Sequence, residues 1–172
     1  MSGAKSKPGE LRQQRRVSQH GCWDFLIVAP LWVAYEANLG TLLRTCDAIG
    51  ACLAVPSTPH YREALQRGDT LRGRRSCVHW VRPDKLTWID NQRKSGKRIV
   101  AVELAEGSTS LPRLVPATGP TVLLLGHEHQ GVPDEVLAKA DLCVDIPMVG
   151  VGASLNVAVA GSLVAYRLAG LS

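Results

Sequence analysis

The chain has 172 residues, 45% hydrophobic and 20% charged, with a formal net charge of +5. That length suits one domain able to bury roughly 70% of its unfolded surface, and the composition excludes disorder over most of the chain. No apolar run reaches about 18 residues free of polar interruption, so no transmembrane span is expected.

The elements alternate between strand and helix. Residues 1–20 read as a flexible basic tail, and residues 21–172 as a single globular domain. Trp23 to Ala29 is an apolar run suited to a buried strand. Glu36 to Ile49 has helical periodicity, with Leu39, Leu42, Leu43, Cys46 and Ile49 on one face and Gly50 placed to stop it. Cys52 to Val55 reads as a short strand ended by Pro56. Tyr61 to Arg67 suits a short helix, Arg72 to Arg75 a basic loop, and Cys77 to Val81 a strand. Asp84 to Ser95 suits a helix capped by Asp84. Ile99 to Leu104 and Thr121 to Leu125 are strands, with the Pro-rich piece Leu111 to Pro120 a loop. Pro133 fits the first turn of a helix running to Ala140. Leu142 to Ile146 is the last strand, and Asn156 to Leu168 the last helix. Continuously apolar strands separated by helices predict an α/β fold, a parallel sheet covered by helices on both faces.

Charge is unevenly placed. Residues 60–98 hold eleven Lys/Arg against four acids, a net of +7, whereas residues 99–172 carry a net of −4. A basic first half without large apolar anchors points to nucleic acid before membrane, the alternative being a solvated surface. The N-terminus lacks the apolar core of a signal peptide. The five cysteines, Cys22, Cys46, Cys52, Cys77 and Cys143, are odd in number and include no C-x-x-C. They predict reduced thiols in a cytosolic protein rather than a disulfide framework or a zinc site.

Three strand ends carry unusual residues. In Asn38-Leu39-Gly40-Thr41-Leu42-Leu43-Arg44, a glycine inside a helix costs about 1 kcal/mol, so something is expected to pack against its backbone. Arg44 in that apolar helix either meets a partner's charge, faces a site, or is a surface arginine. Leu125-Gly126-His127-Glu128-His129-Gln130-Gly131 follows the most apolar strand, at the carboxyl end where open α/β sheets bind ligands. His127, Glu128 and His129 invite a metal reading. Neighbours in a tight loop point apart, however, and no further His or Cys is near in sequence, so no metal is expected. Ile146-Pro147-Met148-Val149-Gly150-Val151-Gly152-Ala153-Ser154-Leu155-Asn156 joins the last strand to the last helix. Its two glycines predict close backbone approach to a ligand. Ser154 and Asn156 are candidate contacts, or simply a helix N-cap and a polar helix residue. Gly150-x-Gly152 lacks the third glycine of a dinucleotide fingerprint, and neither a Walker A motif nor a G-x-S-x-G elbow occurs.

Taken in order, N-x-G-x-x-x-R at Asn38–Arg44, G-x-E-x-x-G at Gly126–Gly131, and I-P-M then S-L-N within Ile146–Asn156 resemble the SpoU (TrmH-like) family of SPOUT RNA methyltransferases. The resemblance covers residues 24–168. It implies a parallel sheet whose C-terminal part is threaded into a deep trefoil knot, against the general rule of unknotted chains. It implies a homodimer with S-adenosyl-L-methionine as cofactor, held by Leu125, Gly126, Gly131, Ile146, Met148 and Leu155. The implied reaction is methyl transfer to a ribose 2′-hydroxyl of RNA, tRNA before rRNA. Arg44 is the implied catalytic residue, with Asn38, Glu128, Ser154 and Asn156 positioning it, the loops and the ribose. Two alternatives accompany this reading: a non-catalytic RNA-binding protein of the same fold, and methylation of an RNA base.

Overall fold

The computed structural model describes residues 25–68, 77–152 and 154–171. The basic tail, Trp23 and the Arg72–Arg75 loop lie outside the described residues.

Seven strands form one sheet: β1 Leu26–Ala29, β2 Cys52–Pro56, β3 Val78–Val81, β4 Arg98–Val102, β5 Thr109–Ser110, β6 Thr121–Leu125 and β7 Leu142–Asp145. Their spatial order is β3-β2-β1-β6-β4-β7-β5, and every pairing is parallel. The central strand β6 is TVLLL, buried along its whole length. It pairs with β1 on one side (Leu26↔Thr121 to Ala29↔Leu124) and β4 on the other (Arg98↔Thr121 to Val102↔Leu125). Such continuous apolar sequence is what a strand covered on both faces requires.

The helices are α1 Glu36–Ile49, α2 Pro59–Gly68, α3 Lys85–Lys94, α4 Asp134–Leu137 and α5 Val157–Leu168. One core layer joins Leu26, Val28, Leu53, Leu123 and Leu125 to Leu39 and Leu42 of α1, Leu65 of α2 and Val164 of α5. The other joins Ile27, Ala54, Ile99, Val122 and Leu124 to Ile89 of α3 and Val136 of α4. Successive strand residues enter opposite layers, as the pleat dictates, and the two layers give the expected α/β architecture. None of the described helices is long and apolar enough to cross a membrane.

Helix α1 has the bounds its periodicity predicts, and Gly50 ends it at φ 70°, its N–H donating to the Cys46 carbonyl. Asp84 caps α3 by accepting from the Thr87 N–H at 3.0 Å. Two expectations need correction. The helix after Pro133 stops at Leu137 instead of Ala140: Lys139 and Ala140 donate to carbonyls three residues back, so the chain tightens into turns. The piece before Pro120 is not all loop. Ser110 ends a two-residue edge strand, β5, and Leu111–Arg113 forms a 3₁₀ turn.

Gly40 lies where α1 meets α2. A Cβ on Gly68 would come 2.6 Å from the Gly40 Cα, and one on Gly40 would come 3.1 Å from the Gly68 Cα. The glycine cost in α1 is therefore offset by a close helix crossing. Gly68→Ala is expected to lower the urea midpoint, because overpacking costs about 1–3 kcal/mol against a helix-propensity gain of about 1 kcal/mol. An unchanged or raised midpoint would contradict the crossing.

Candidate functional site

The carboxyl ends of β1, β6 and β7 each release a loop, and side-chain hydrogen bonds draw these loops together. The loop after β1 is held by Tyr61 of α2, whose hydroxyl donates to the Val33 carbonyl at 2.7 Å. Burial, and secondly the nearby Glu128 charge, push that phenol up to about 12, so it remains a donor at neutral pH.

The loop after β6 folds tightly back on itself. His127 and Gly131 exchange N–H···O bonds, each 2.9 Å. A Cβ on Gly126 would lie 2.1 Å from the Gly131 carbonyl carbon, so only glycine fits there. Gly131 has φ +68°, and a Cβ would meet the Glu103 carboxylate at 2.2 Å. Glu103, just past β4, accepts from the Val132 N–H at 2.9 Å and so braces this loop from outside. Sequence reasoning missed Glu103; its only signal was its position at another strand's carboxyl end.

Glu128 reaches from this loop to the start of α1. Tyr35, at the N-cap of α1, offers no side-chain cap. The Glu128 carboxylate accepts from the backbone N–H groups of Ala34 (3.0 Å) and Tyr35 (3.1 Å), holding the segment that enters α1 from 93 residues away. An anion at a helix N-terminus is also favoured by the helix dipole. Asn38, buried in the first turn, donates its Nδ2 to the same carboxylate at 2.7 Å. With Nδ2 so committed, Asn38 Oδ1 accepts from Asn156 Nδ2 at 3.0 Å. Asn156 in turn caps α5, its Oδ1 accepting from the Ala158 (2.9 Å) and Val159 (3.2 Å) N–H groups. One relay therefore runs from the first turn of α5 through Asn156, Asn38 and Glu128 to the first turn of α1. Burial pushes the Glu128 carboxyl up, but the Ala34, Asn38 and Tyr35 hydrogen bonds outweigh it and hold the group below its ordinary range.

The other anticipated residues are placed differently. Arg44 lies exposed on α1, six residues beyond Asn38 and about 120° round the helix from it. Ser154 is exposed, and the cap of α5 is Asn156, not Ser154. Leu125 is fully buried and packs against Gly161 of α5, where a Cβ would meet Leu125 Cδ1 at 2.5 Å, so its main chain alone faces the loop region. Ile146 is half-buried, while Met148 and Leu155 are 44% and 40% exposed. Gly150 and Gly152 have open space around them, whereas Gly126 and Gly131, at the same end of the sheet, are packed against other chain atoms. His127 is engaged within its own loop, and His129 also reaches Tyr35 at the start of α1. His127 Nδ1 accepts from the His129 N–H at 3.1 Å, and His129 Nε2 lies 3.1 Å from the Tyr35 hydroxyl.

A parallel α/β sheet whose strand-end loops are locked together on one side is the architecture of a ligand-binding α/β enzyme domain. Comparison with known proteins narrows the class. The sequence profile of the SpoU rRNA Methylase family matches residues 26–166. A tRNA (guanosine(18)-2'-O)-methyltransferase of Aquifex aeolicus is 33% identical over 165 residues, 91% of this chain and 74% of that protein. A 23S rRNA (guanosine(2553)-2'-O)-methyltransferase of Bacillus subtilis is 33% identical over 136 residues, 77% of this chain but only 53% of the relative. The crystal structure of the A. aeolicus TrmH/SpoU tRNA modifying enzyme superposes with a TM-score of 0.73 at 27% identity, covering 95% of this chain and 82% of that one. An AdoMet-bound rRNA methyltransferase of Sinorhizobium meliloti gives 0.70 at 30% identity, covering 83% and 55%. The chain belongs to the SpoU methylase family.

Two outcomes check the relay. Asn38→Ala leaves a carboxylate oxygen and the Asn156 amide without their partner and is expected to cost about 1–3 kcal/mol in chemical denaturation. A loss near zero would show that the relay is not structural. The folded carboxyl of Glu128 sits below its unfolded value of about 4.3, so its contribution is complete above that pH and is lost as pH falls through the folded value. Glu128→Gln should therefore flatten the acid limb of stability against pH; an equally steep limb would contradict the assignment.

Proposed function

We propose that this protein transfers the methyl group of S-adenosylmethionine to a ribose 2′-hydroxyl of RNA, with tRNA the first substrate to test and rRNA the second. The observation that carries the reading is the Asn156–Asn38–Glu128 relay, which joins the three family motifs at one end of the sheet. Family membership and the 2′-O specificity named for the relatives support the reaction type. The basic first half supports a polyanionic substrate gripped mainly through phosphates.

The residues present suit the cofactor. The Gly131 main chain fills the space a Gly126 side chain would take, so the turn that presents the proposed backbone contacts needs glycine there, and Ile146, Met148 and Leu155 offer apolar surface not fully used within the chain. Gly126, Ile146 and Leu155 are the proposed backbone contacts, with Leu125, Gly131 and Met148 around them. When bound, S-adenosylmethionine supplies an activated methyl group on a sulfonium, so alignment accounts for much of the acceleration.

The side-chain roles then separate. Arg44 binds phosphate and stabilises the developing alkoxide on the 2′-oxygen; a guanidinium that stays charged is an electrostatic partner rather than a proton acceptor. Glu128 is a positioning residue: its oxygens hold three donors, and a carboxylate of lowered pKa is a poor base. Asn38 and Asn156 hold α1 and α5 in register, and Ser154 contacts the ribose or cofactor. None of these roles calls for a metal.

The homodimer and the knot belong to the same proposal. Val159 and Leu163 of α5 are each 44% exposed and line an apolar cleft of about 700 Å³ with Thr41, Leu111 and Tyr166. Such a surface suits a second copy of the chain, which would bring a further surface toward Arg44. Support for the knot comes from the short connection between β4 and β5, residues 103–108, which passes the carboxyl end of β7 lying between them.

With tritiated S-adenosylmethionine and unmodified RNA, wild-type protein is expected to incorporate label into alkali-resistant dinucleotides. Arg44→Ala should lose at least about a hundredfold in rate, the usual effect of removing an electrostatic partner of the transition state. Label in alkali-labile nucleotides would point to base methylation. RNA binding without incorporation would point to a non-catalytic protein, and an undiminished Arg44→Ala rate would remove that residue from the mechanism.

A further inference from the structure

At the opposite, amino-terminal end of the sheet, three soft donor groups converge away from the proposed methyl-transfer site. Leu53 of β2 pairs with Val78 of β3, and Ala54 with His79. The same register sets Cys52 beside Cys77, and the Leu53 N–H donates to the Cys77 carbonyl at 2.9 Å. Because side chains alternate along a strand, Cys77 and His79 share a face. Both Cys52 and Cys77 meet the core layer that contains Ile89. The two sulfurs and one imidazole nitrogen all lie within 4.8 Å of one another, and Cys77 Sγ is 3.3 Å from His79 Nε2. Neither cysteine is in a disulfide.

We propose that Cys52, Cys77 and His79 bind a thiophilic divalent cation, zinc first. In a tetrahedral zinc site, bonds of about 2.3 Å to sulfur and about 2.0 Å to nitrogen place the donors about 3.5–3.8 Å apart. The Cys77–His79 pair, at 3.3 Å, is within a few tenths of an ångström of this spacing, and Cys52, whose sulfur lies within 4.8 Å of both, has to draw closer to complete the triangle. Three protein donors leave one corner for solvent or another donor. Two Cys and one His suit zinc better than hard cations, which prefer oxygen. Binding converts both thiols to thiolates and releases their two protons to solvent, so affinity falls as pH falls.

The site has a structural purpose in this fold. Among the described residues, strand β3 is an outer strand of the sheet and pairs only with β2. Its sequence is only partly buried. A metal held by both strands fastens that edge. It also fixes the chain where it enters β3. The local sequence hides the site because its two cysteines are 25 positions apart; the parallel register, not a C-x-x-C, brings them together.

The full chain, purified under reducing conditions without a metal-affinity column, should contain close to one zinc per chain by elemental analysis. Cobalt(II) chloride added to the demetallated protein should give thiolate-to-metal charge-transfer absorption and the visible bands of tetrahedral cobalt. Cys77→Ser and His79→Ala should each weaken zinc binding by roughly tenfold or more while the far-ultraviolet circular dichroism is kept. Cobalt absorption in folded wild-type protein makes the readout independent of methyl transfer. Failure of wild-type protein to bind zinc or cobalt at micromolar concentrations would overturn the proposal. So would metal binding unaffected by both substitutions, or a mass short of two hydrogens that maps to a Cys52–Cys77 disulfide.

Discussion

The Glu128 carboxylate is the constraint on which the site depends. Helix α1 begins at Glu36, after Tyr35, whose side chain does not cap it. Glu128 accepts from the backbone N–H groups of Ala34 and Tyr35 just before the helix, and so fixes the loop after β6 against the loop after β1. Asn38 then couples the same carboxylate to Asn156 and thus to the start of α5. Each member satisfies another's hydrogen-bonding group. Loss of one leaves the next unpartnered, which is why such networks act as a unit. The relay sets where Arg44, the proposed phosphate-binding group, emerges from α1.

Sheet order makes the relay possible. Strand β6 sits between β1 and β4, so the loop with Glu128 lies beside both the loop leading into α1 and Glu103 at the end of β4. Gly126 and Gly131 allow that loop to turn back within six residues, with the Glu103 carboxylate filling the space a Gly131 side chain would need. On the far side, α1 and α5 are further joined by the Thr45 and Ser162 hydroxyls, 2.7 Å apart. The site is therefore framed by rigid elements, as positioning of a weak nucleophile demands.

Much of the fold was legible because it follows from local periodicity. Helix α1 shows apolar residues at helical spacing and a glycine in the stop position, and its bounds match. Strand β6 is too apolar to be anything but central. The two-residue strand β5 was not legible, since Thr109 and Ser110 lie at a sheet edge where neither burial nor alternation marks them. The helix after Pro133 was overextended because Ala138 to Ala140 favour helix locally, while the chain needs turns to enter β7. At the site, the motifs were legible but their connections were not. Glu128 and Asn156 lie 90 and 118 positions from Asn38, and the sheet order shows that they share one network. The need for glycine at 126 and 131 was not legible, because it comes from main chain and the Glu103 carboxylate packed against them.

We propose that S-adenosylmethionine binds beside the loops tied together by Glu128, at a turn that requires glycine at 126. Calorimetric titration of S-adenosylmethionine into the wild-type chain and into a folded Gly126→Ala variant tests this. The account predicts saturable binding at one site per chain in the wild type and binding weakened at least about tenfold in the variant, the consequence of shifting the main chain at that turn. Equal affinity in the two proteins, or no binding by the wild type, would contradict it.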